Sequence, residues 1–361
     1  MEDFTKKNTL SGTSPSEAME LYMHRCLQLA HHGSGHVAPN PMVGAILVCN
    51  DFIIGEGFHR QYGEAHAEPN AINSVKNKDL LNRATLYVSL EPCSHYGKTP
   101  PCADLIVKSG IPRVVIGTLD PNPKVAGRGV TILQNAGIEV TVGVLEPECR
   151  ELNKRFFTFH EKKRPYILLK WAQTQDGFID VIRKDHTELP LKISNAITLQ
   201  LTHKMRSENQ SIFVGANTVL LDNPSLTVRN WSGKSPIRIA IDRQGRIPAL
   251  FNILDGAVPT IVFTETEQVN SPNVEFVKIE KDGPFPQNII YKIYEHHIHS
   301  VLIEGGAGIL NSFIEAGLWD EANVEVSPQQ IHEGVKAPVL NIQPIHRSVI
   351  EGHDWLFFRN K

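Results

Sequence analysis

Apolar and polar positions switch between helical and strand periods along this chain, and the switches mark out its elements. Ser14-Pro15-Ser16-Glu17 reads as a helix start, with Ser14 as N-cap, Pro15 at the first helical position and Glu17 placed to close a capping box. Ala18, Leu21, Tyr22, Cys26 and Leu29 follow at helical spacing and predict its apolar face. The runs Val43 to Val48 and Phe52 to Gly57 are strand-like and flank the turn signal Asn50-Asp51, which predicts a hairpin. Next come a predicted helix over 66–75, a strand over 84–90, a helix over 103–109 and a strand over 113–117. Strands that alternate with helices argue for an α/β sheet covered by helices.

The second half repeats that style without repeating the sequence. It begins with a strand at Tyr166 to Lys170 and continues with a helix around Ile197 to Arg206 and strands at Ser211 to Val214 and Ile237 to Ile241. A strand at Ser300 to Ile303 then leads into a Gly-rich turn and a helix over 309–315. Between the halves, RELNKRFFTFHEKKRP is basic and ends in proline. The expected organisation is therefore a loose polar tail over 1–13, a first domain over 14–150, a linker over 151–165 and a second α/β domain over 166–361.

Composition narrows the class. At 361 residues the chain is long enough for two domains, each burying its own core, and 41% hydrophobic residues supply the material for them. A net charge of −3 gives no bulk attraction to nucleic acid, so no nucleic-acid partner is expected. The five scattered cysteines do not make a disulfide scaffold and suit a reducing compartment, and no run reaches the ~18 apolar residues of a membrane span. The expectation is a cytoplasmic protein with no membrane partner.

The chemistry enters with His66-Ala67-Glu68 and PCSHYGKTPPC, whose cysteines Cys93 and Cys102 have eight residues between them. A catalytic zinc takes three N or S ligands and keeps a fourth position for water. His66, Cys93 and Cys102 supply such a set, and Glu68 sits at a predicted helix start where its carboxylate can act as proton shuttle. His-x-Glu with Pro-Cys is the known signature of zinc deaminases, in which an acidified water attacks an amidine-like ring carbon and the glutamate passes its proton to the departing amine. Ordinary buried cysteines or a closed structural zinc site are the alternatives these residues leave open, with His95 as the candidate fourth ligand. His95 also suits a substrate contact, as do Ser94, Lys98 and Thr99 in the same loop.

These motifs, with PNPMVG (Pro39 to Gly44) upstream and DPNPKVAGRG (Asp120 to Gly129) downstream, resemble the deaminase half of the bifunctional riboflavin-biosynthesis deaminase/reductase family. The resemblance extends over the second half through KWA (Lys170 to Ala172), Asp176-Gly177, TVLLDNPSLTVR (Thr218 to Arg229), PIRIAID (Pro236 to Asp242) and EGGAG (Glu304 to Gly308). It implies a cytidine-deaminase-like three-layer α/β/α domain followed by a dihydrofolate-reductase-like α/β domain. Zinc and NADPH are the implied cofactors, and a homo-oligomer is expected. The implied reaction deaminates a phosphoribosylamino-diaminopyrimidinone to the uracil, then reduces its ribose to ribityl. By the same match Ala172, Thr218, Asp222 and the segment Gly306, Ala307, Gly308, Ile309, Leu310, Asn311 and Ser312 contact NADPH, while Arg206, Leu226, Arg229 and Glu304 contact substrate. Asn40 and His59 match family positions near the base pocket.

The chain departs from the family pattern at Gln175, at Pro190 and Lys192, where an aromatic is usual, and over Ser327 to Gly334. Arg243 stands where the family has a small polar residue, within reach of a cofactor 2'-phosphate. A deaminase with an inactive second half, or a nucleotide-binding module with structural zinc, are the alternative functions.

Overall fold

The computed structural model describes residues 14–95, 100–123 and 125–360. The expected tail over 1–13 and the loop residues Lys98 and Thr99 lie outside them. By its contacts the chain divides into two compact units, Met1–Lys162 and Lys163–Lys361.

In the first unit α1 (Pro15–His31) starts as its sequence predicts: the Ser14 hydroxyl accepts from Glu17 N, and the Glu17 carboxylate accepts from Ser14 N at 2.7 Å. Its buried face is Tyr22, Met23, Cys26, Leu27 and Ala30, whereas Leu21 is exposed. The hairpin β1 (Gly44–Cys49) and β2 (Phe52–Phe58) turns through Asn50 and Asp51, both at positive φ. Then follow α2 (Ala67–Ser74), β3 (Thr85–Leu90), α3 (Cys102–Lys108), β4 (Arg113–Thr118), α4 (Arg128–Asn135) and β5 (Glu139–Val142). The strand order is β2-β1-β3-β4-β5, with β1 antiparallel to both neighbours and β3, β4 and β5 parallel.

Period-two alternation divides each strand between two cores. Ala45, Leu47, Leu86, Val88, Val114 and Ile116 pack toward α2, α3 and α4, and Ile46, Val48, Tyr87 and Val115 pack toward α1. Both faces are therefore covered, as a three-layer α/β/α domain requires.

Most of the segment expected as a linker is occupied by the end of α5 (Glu146–Leu152) and by α6 (Lys154–Lys162), and it lies within the first unit up to Lys162. Phe156 and Phe157 are buried with Leu90, and the Asn153 side chain bonds both backbone groups of Met42 at 2.8 and 2.9 Å. The basic residues that suggested a linker share a helix with a buried aromatic face. Cys149 of α5 is fully buried beside Met23 and Cys26.

The second unit runs β6 (Tyr166–Thr174), β7 (Phe178–Asp180), α7 (Ala196–Glu208), β8 (Ser211–Gly215), α8 (Ala216–Asp222), β9 (Ile237–Ile241), β10 (Thr260–Thr264) and β11 (Val274–Lys278). It continues α9 (Gln287–Glu295), β12 (Ser300–Ile303), α10 (Ala307–Glu315), β13 (Glu321–Ser327), β14 (Val335–Lys336), β15 (His346–Ile350) and β16 (His353–Arg359). Nine strands form one sheet in the order β11-β10-β9-β8-β12-β6-β13-β16-β15. The first seven are parallel, and β16 and β15 close the edge antiparallel. Helices α9 and α10 pack Ile289, Ile293, Leu310 and Phe313 on one face. Met205 of α7 and Val219 of α8 cover the other.

The divergent stretch over 327–334 has a structural task. The Asp176 carboxylate accepts from Ile331 N and His332 N at 3.0 and 2.7 Å, and the chain beyond pairs β14 with β7. Among the described residues no helix is long and apolar enough to cross a membrane.

Candidate active sites

The first site forms where chain ends of three elements meet. His66 is the extended N-cap residue of α2, Cys93 lies just past the end of β3, and Cys102 opens α3 after Pro101. His66 Nδ1 lies 3.6 Å from Cys93 Sγ and 3.4 Å from Cys102 Sγ, and all three donor atoms fall within 4.8 Å of one another. A tetrahedral zinc with ordinary Zn–N and Zn–S bonds separates an N and an S ligand by about 3.6 Å. The donor set is thus already at metal-binding spacing.

Charge points the same way. Hydrogen bonds from Cys102 and His66 hold the Cys93 thiol well below its ordinary range, against its burial, while Cys102 is pushed up. Two sulfurs this close can both be thiolates only with a cation between them. Glu68, on the first turn of α2, is 3% exposed, and its Oε2 has no hydrogen-bond partner among the described residues. Burial pushes its carboxyl up to about 7, the range of a group that both takes and gives a proton near neutrality. These residues fit a catalytic zinc. His95 is exposed and stands outside the donor cluster.

His59 is buried beside this centre, its ring edge-on to His66 with centroids 5.3 Å apart. Its Nδ1 lies 3.1 Å from the Ala65 carbonyl and so carries the proton, which leaves Nε2 to accept from Asn40 Nδ2 at 3.1 Å. Burial, aided by His66, lowers its pKa and keeps the ring neutral. Asn40 and His59 are therefore brought together, as an oriented pair. Ser94, next to Cys93, has a buried hydroxyl without a partner among the described residues.

The second site is a cleft of about 1360 Å³ at the carboxyl ends of β6, β8, β9 and β12, where open parallel sheets bind their ligands. Of the expected cofactor residues, Ala172, Thr218, Asp222, Gly306, Ala307, Gly308, Ile309 and Ser312 line it. Leu310 does not, because it is fully buried in the core, and Asn311 is also absent from the lining. Gly306 is the N-cap of α10 and donates its amide to Thr218 Oγ1 at 3.0 Å. A Cβ at Gly215 would lie 2.8 Å from Ile309, so bare backbone lets α10 approach β8 this closely. The amides that open α10 border a long cleft, an arrangement that fits a phosphate-bearing cofactor.

Of the expected substrate residues, only Glu304 lines the cleft. Arg206 is committed to it in a bidentate pair, Nε to Oε1 at 2.9 Å and Nη2 to Oε2 at 2.5 Å, and donates to the Thr227 carbonyl. Burial alone would raise the Glu304 carboxyl, but Arg206 outweighs it and holds the pKa below its ordinary value. Leu226 is buried and Arg229 is exposed.

The cleft also contains groups that sequence reading missed. The Arg183 side chain, 3% exposed, pairs with Asp180 at 2.6 Å and with Asp222, tying the loop after β7 to the end of α8. Lys170 is buried on β6, 3.9 Å from Glu325, whose carboxylate also accepts from Ser194 and meets His353. Burial lowers the Lys170 pKa although Glu304 and Glu325 pull it up. No local signal marks Arg183, since a charged residue in a polar loop reads as solvated surface. Lys192 lines the cleft where an aromatic was expected. Arg243 lines it too, paired with Glu265 at 2.7 Å.

A His-Cys-Cys donor set over a buried glutamate, joined to a unit with a dinucleotide-sized cleft, defines a zinc-dependent deaminase coupled to a reductase. The cytidine and deoxycytidylate deaminase zinc-binding region matches residues 16–118, and the RibD C-terminal domain matches residues 165–334. The riboflavin biosynthesis protein RibD of Aquifex aeolicus is 41% identical over 91% of this chain and 92% of its own length. That of Bacillus amyloliquefaciens is 43% identical over 89% and 87%. The crystal structure of a diaminohydroxyphosphoribosylaminopyrimidine deaminase/5-amino-6-(5-phosphoribosylamino)uracil reductase from Thermotoga maritima superposes with a TM-score of 0.85 at 38% identity, over 96% of this chain and 100% of that one. The chain belongs to the RibD family: it is a bifunctional enzyme of riboflavin biosynthesis that deaminates and then reduces, with Zn2+ and NADPH as cofactors.

Proposed function

We propose that His66, Cys93 and Cys102 hold the zinc and that Glu68 carries the proton in hydrolytic removal of the 2-amino group of 2,5-diamino-6-(5-phosphoribosylamino)pyrimidin-4(3H)-one. The observation that carries this reading is the three donor atoms within 4.8 Å of one another, with a buried glutamate oxygen nearby in sequence that has no partner among the described residues. Zinc bound there supplies the Lewis acidity that makes a water nucleophilic at neutral pH. Glu68 takes a proton from that water and returns it to the departing amine, so ammonia leaves and a ring carbonyl remains. The Asn40–His59 pair orients the ring, and the polar loop after Cys93 meets the ribose phosphate. Residues 14–162 form the deaminase.

In the second unit, residues 163–360, Ala172, Thr218, Asp222 and the backbone from Gly306 to Ser312 bind NADPH, which supplies the hydride that turns the ribose into ribityl. Leu310 contributes to this segment by anchoring it in the core. Glu304, held by Arg206, borders the sugar phosphate; Leu226 and Arg229 stand outside the cleft lining, and of the two the exposed Arg229 rather than the buried Leu226 is the one to reach substrate. The substrate is a small molecule. Five free cysteines support action in a reducing cytoplasm, and a homo-oligomer is the assembly we assign.

Incubating the protein with the phosphorylated diaminopyrimidine, with and without NADPH, separates the two steps. Ammonia release without NADPH, followed by NADPH oxidation on its addition, is the expected result. Ammonia without any NADPH oxidation would leave a deaminase alone, and zinc binding with neither signal would leave a binding module.

A further inference from the structure

Two residues before Cys93 lies an acid that the zinc chemistry does not use. Glu91 is 4% exposed and faces no lysine or arginine in an ion pair among the described residues. Its carboxylate is satisfied by backbone alone: Oε1 accepts from Gly129 N at 2.9 Å and Val130 N at 3.3 Å, and Oε2 accepts from Gly127 N at 3.0 Å and Asp120 N at 3.2 Å. Four amide donors on one buried carboxylate form a strong, directional clasp, because charge-assisted hydrogen bonds are about twice as strong as neutral ones.

The clasp joins two specific pieces of chain. Glu91 N donates to the Thr118 carbonyl at 3.0 Å, prolonging the β3–β4 ladder, and Cys93 follows directly. The donors come from the segment that leaves β4 and opens α4, at the same carboxyl edge of the sheet. Gly129 shows how close the approach is: a Cβ there would lie 2.2 Å from the Pro92 carbonyl oxygen and 3.2 Å from Glu91 Oε1. Gly127 reaches its place at φ +77°, a conformation glycine adopts without strain. Within the segment the Asp120 carboxylate accepts from Asn122 N at 2.7 Å, and burial pushes its pKa up to about 6.

A buried acid that caps a helix from a neighbouring strand could serve stability alone. Its position speaks for more: one side chain sets both the loop Asp120–Gly129 and the strand end that delivers a metal ligand. We propose that Glu91 is a positioning residue of the deaminase, pinning this loop against the Cys93 strand end so that it walls the pocket in which the pyrimidine meets the metal centre. The proposal rests on the zinc-site reading above.

The test uses the full-length, zinc-loaded enzyme carrying Glu91→Gln, which keeps size but places a donor amide among donors, with Glu91→Asp as the charge-retaining variant. Zinc content, the KM and kcat of ammonia release, and hydrogen exchange of the peptide over 119–130 are measured. For Glu91→Gln we expect full zinc content, faster exchange of that peptide, and a KM raised about tenfold with kcat changed less than about threefold. Glu91→Asp should recover part of the KM. Gly129→Ala attacks the same contact from the loop side and should raise KM in the same way. An unchanged KM, or activity lost only in proportion to zinc, would overturn the proposal. Full ammonia release by Glu68→Gln would instead bring down the zinc-site reading itself, so the two failures are distinguishable.

Discussion

The two sites treat charge in opposite ways. Around His66, Cys93, Cys102 and Glu68 the polar atoms are crowded and incompletely partnered: two sulfurs share one histidine nitrogen, and a buried glutamate oxygen has no donor among the described residues. In the reductase cleft the buried charges are neutralised within the protein, Arg206 by Glu304, Arg183 by Asp180 and Asp222, Lys170 by Glu325. The first site is thus arranged as one that a cation would complete, while the second presents a finished surface to an extended cofactor. The physical reason is size. A point charge binds donors that must be desolvated and close, whereas a dinucleotide spreads its contacts and needs walls that keep their shape without it.

The largest test of this contrast is to remove the metal. Chelation, or Cys93→Ser, should abolish ammonia release while NADPH oxidation on the preformed uracil substrate persists. Loss of both activities together would contradict the separate character of the sites. Glu68→Gln should keep zinc, measured by metal analysis, and lower ammonia release about 10³-fold, within the range of a general acid–base group.

Arg206→Ala acts on the paired site and leaves Glu304 buried without its partner, at a cost of about 3–5 kcal/mol measured by denaturant unfolding of the second unit. The folded Glu304 pKa is lowered, so the pair's contribution is present at neutral pH and is lost as pH falls below about 4.3 and on through the folded value. The stability difference between wild type and Arg206→Ala should therefore shrink in acid. Arg183→Gln should weaken NADPH binding about tenfold, read by fluorescence titration, because Asp222 loses its clamp. Deaminase activity should not change. Ser14→Ala, at the cap of α1, should cost the first unit about 1 kcal/mol and leave both activities intact.

The same contrast explains what could be read in advance. The zinc donors lie within 37 residues, each at an element boundary marked by proline or by a capping position, so their motif stands out. Cleft residues are drawn from β6 to beyond α10, and bare backbone is required among them at Gly215, where a Cβ would lie 2.8 Å from Ile309. Arg206, expected from the family match to touch substrate, makes a bidentate pair with Glu304 that no short stretch of sequence reveals. The basic run from Lys154 to Arg164 read as a linker because its charges are visible in sequence, while the burial of Phe156 and Phe157 depends on Leu90, sixty-odd positions earlier.

Local chemistry in the sequence was enough to determine the α/β class, the strands Ile237–Ile241 and Ser300–Ile303 and the start of α1, and it singled out His66, Cys93 and Cys102, which the fold brings together. These depend on period, caps and ligand type, which are properties of neighbouring residues. Only the tertiary structure decided which charges are spent on one another, which loop Glu91 clasps, and where the first unit ends. Those outcomes turn on desolvation and on contacts between distant strand ends, and neither is written in any short stretch of chain.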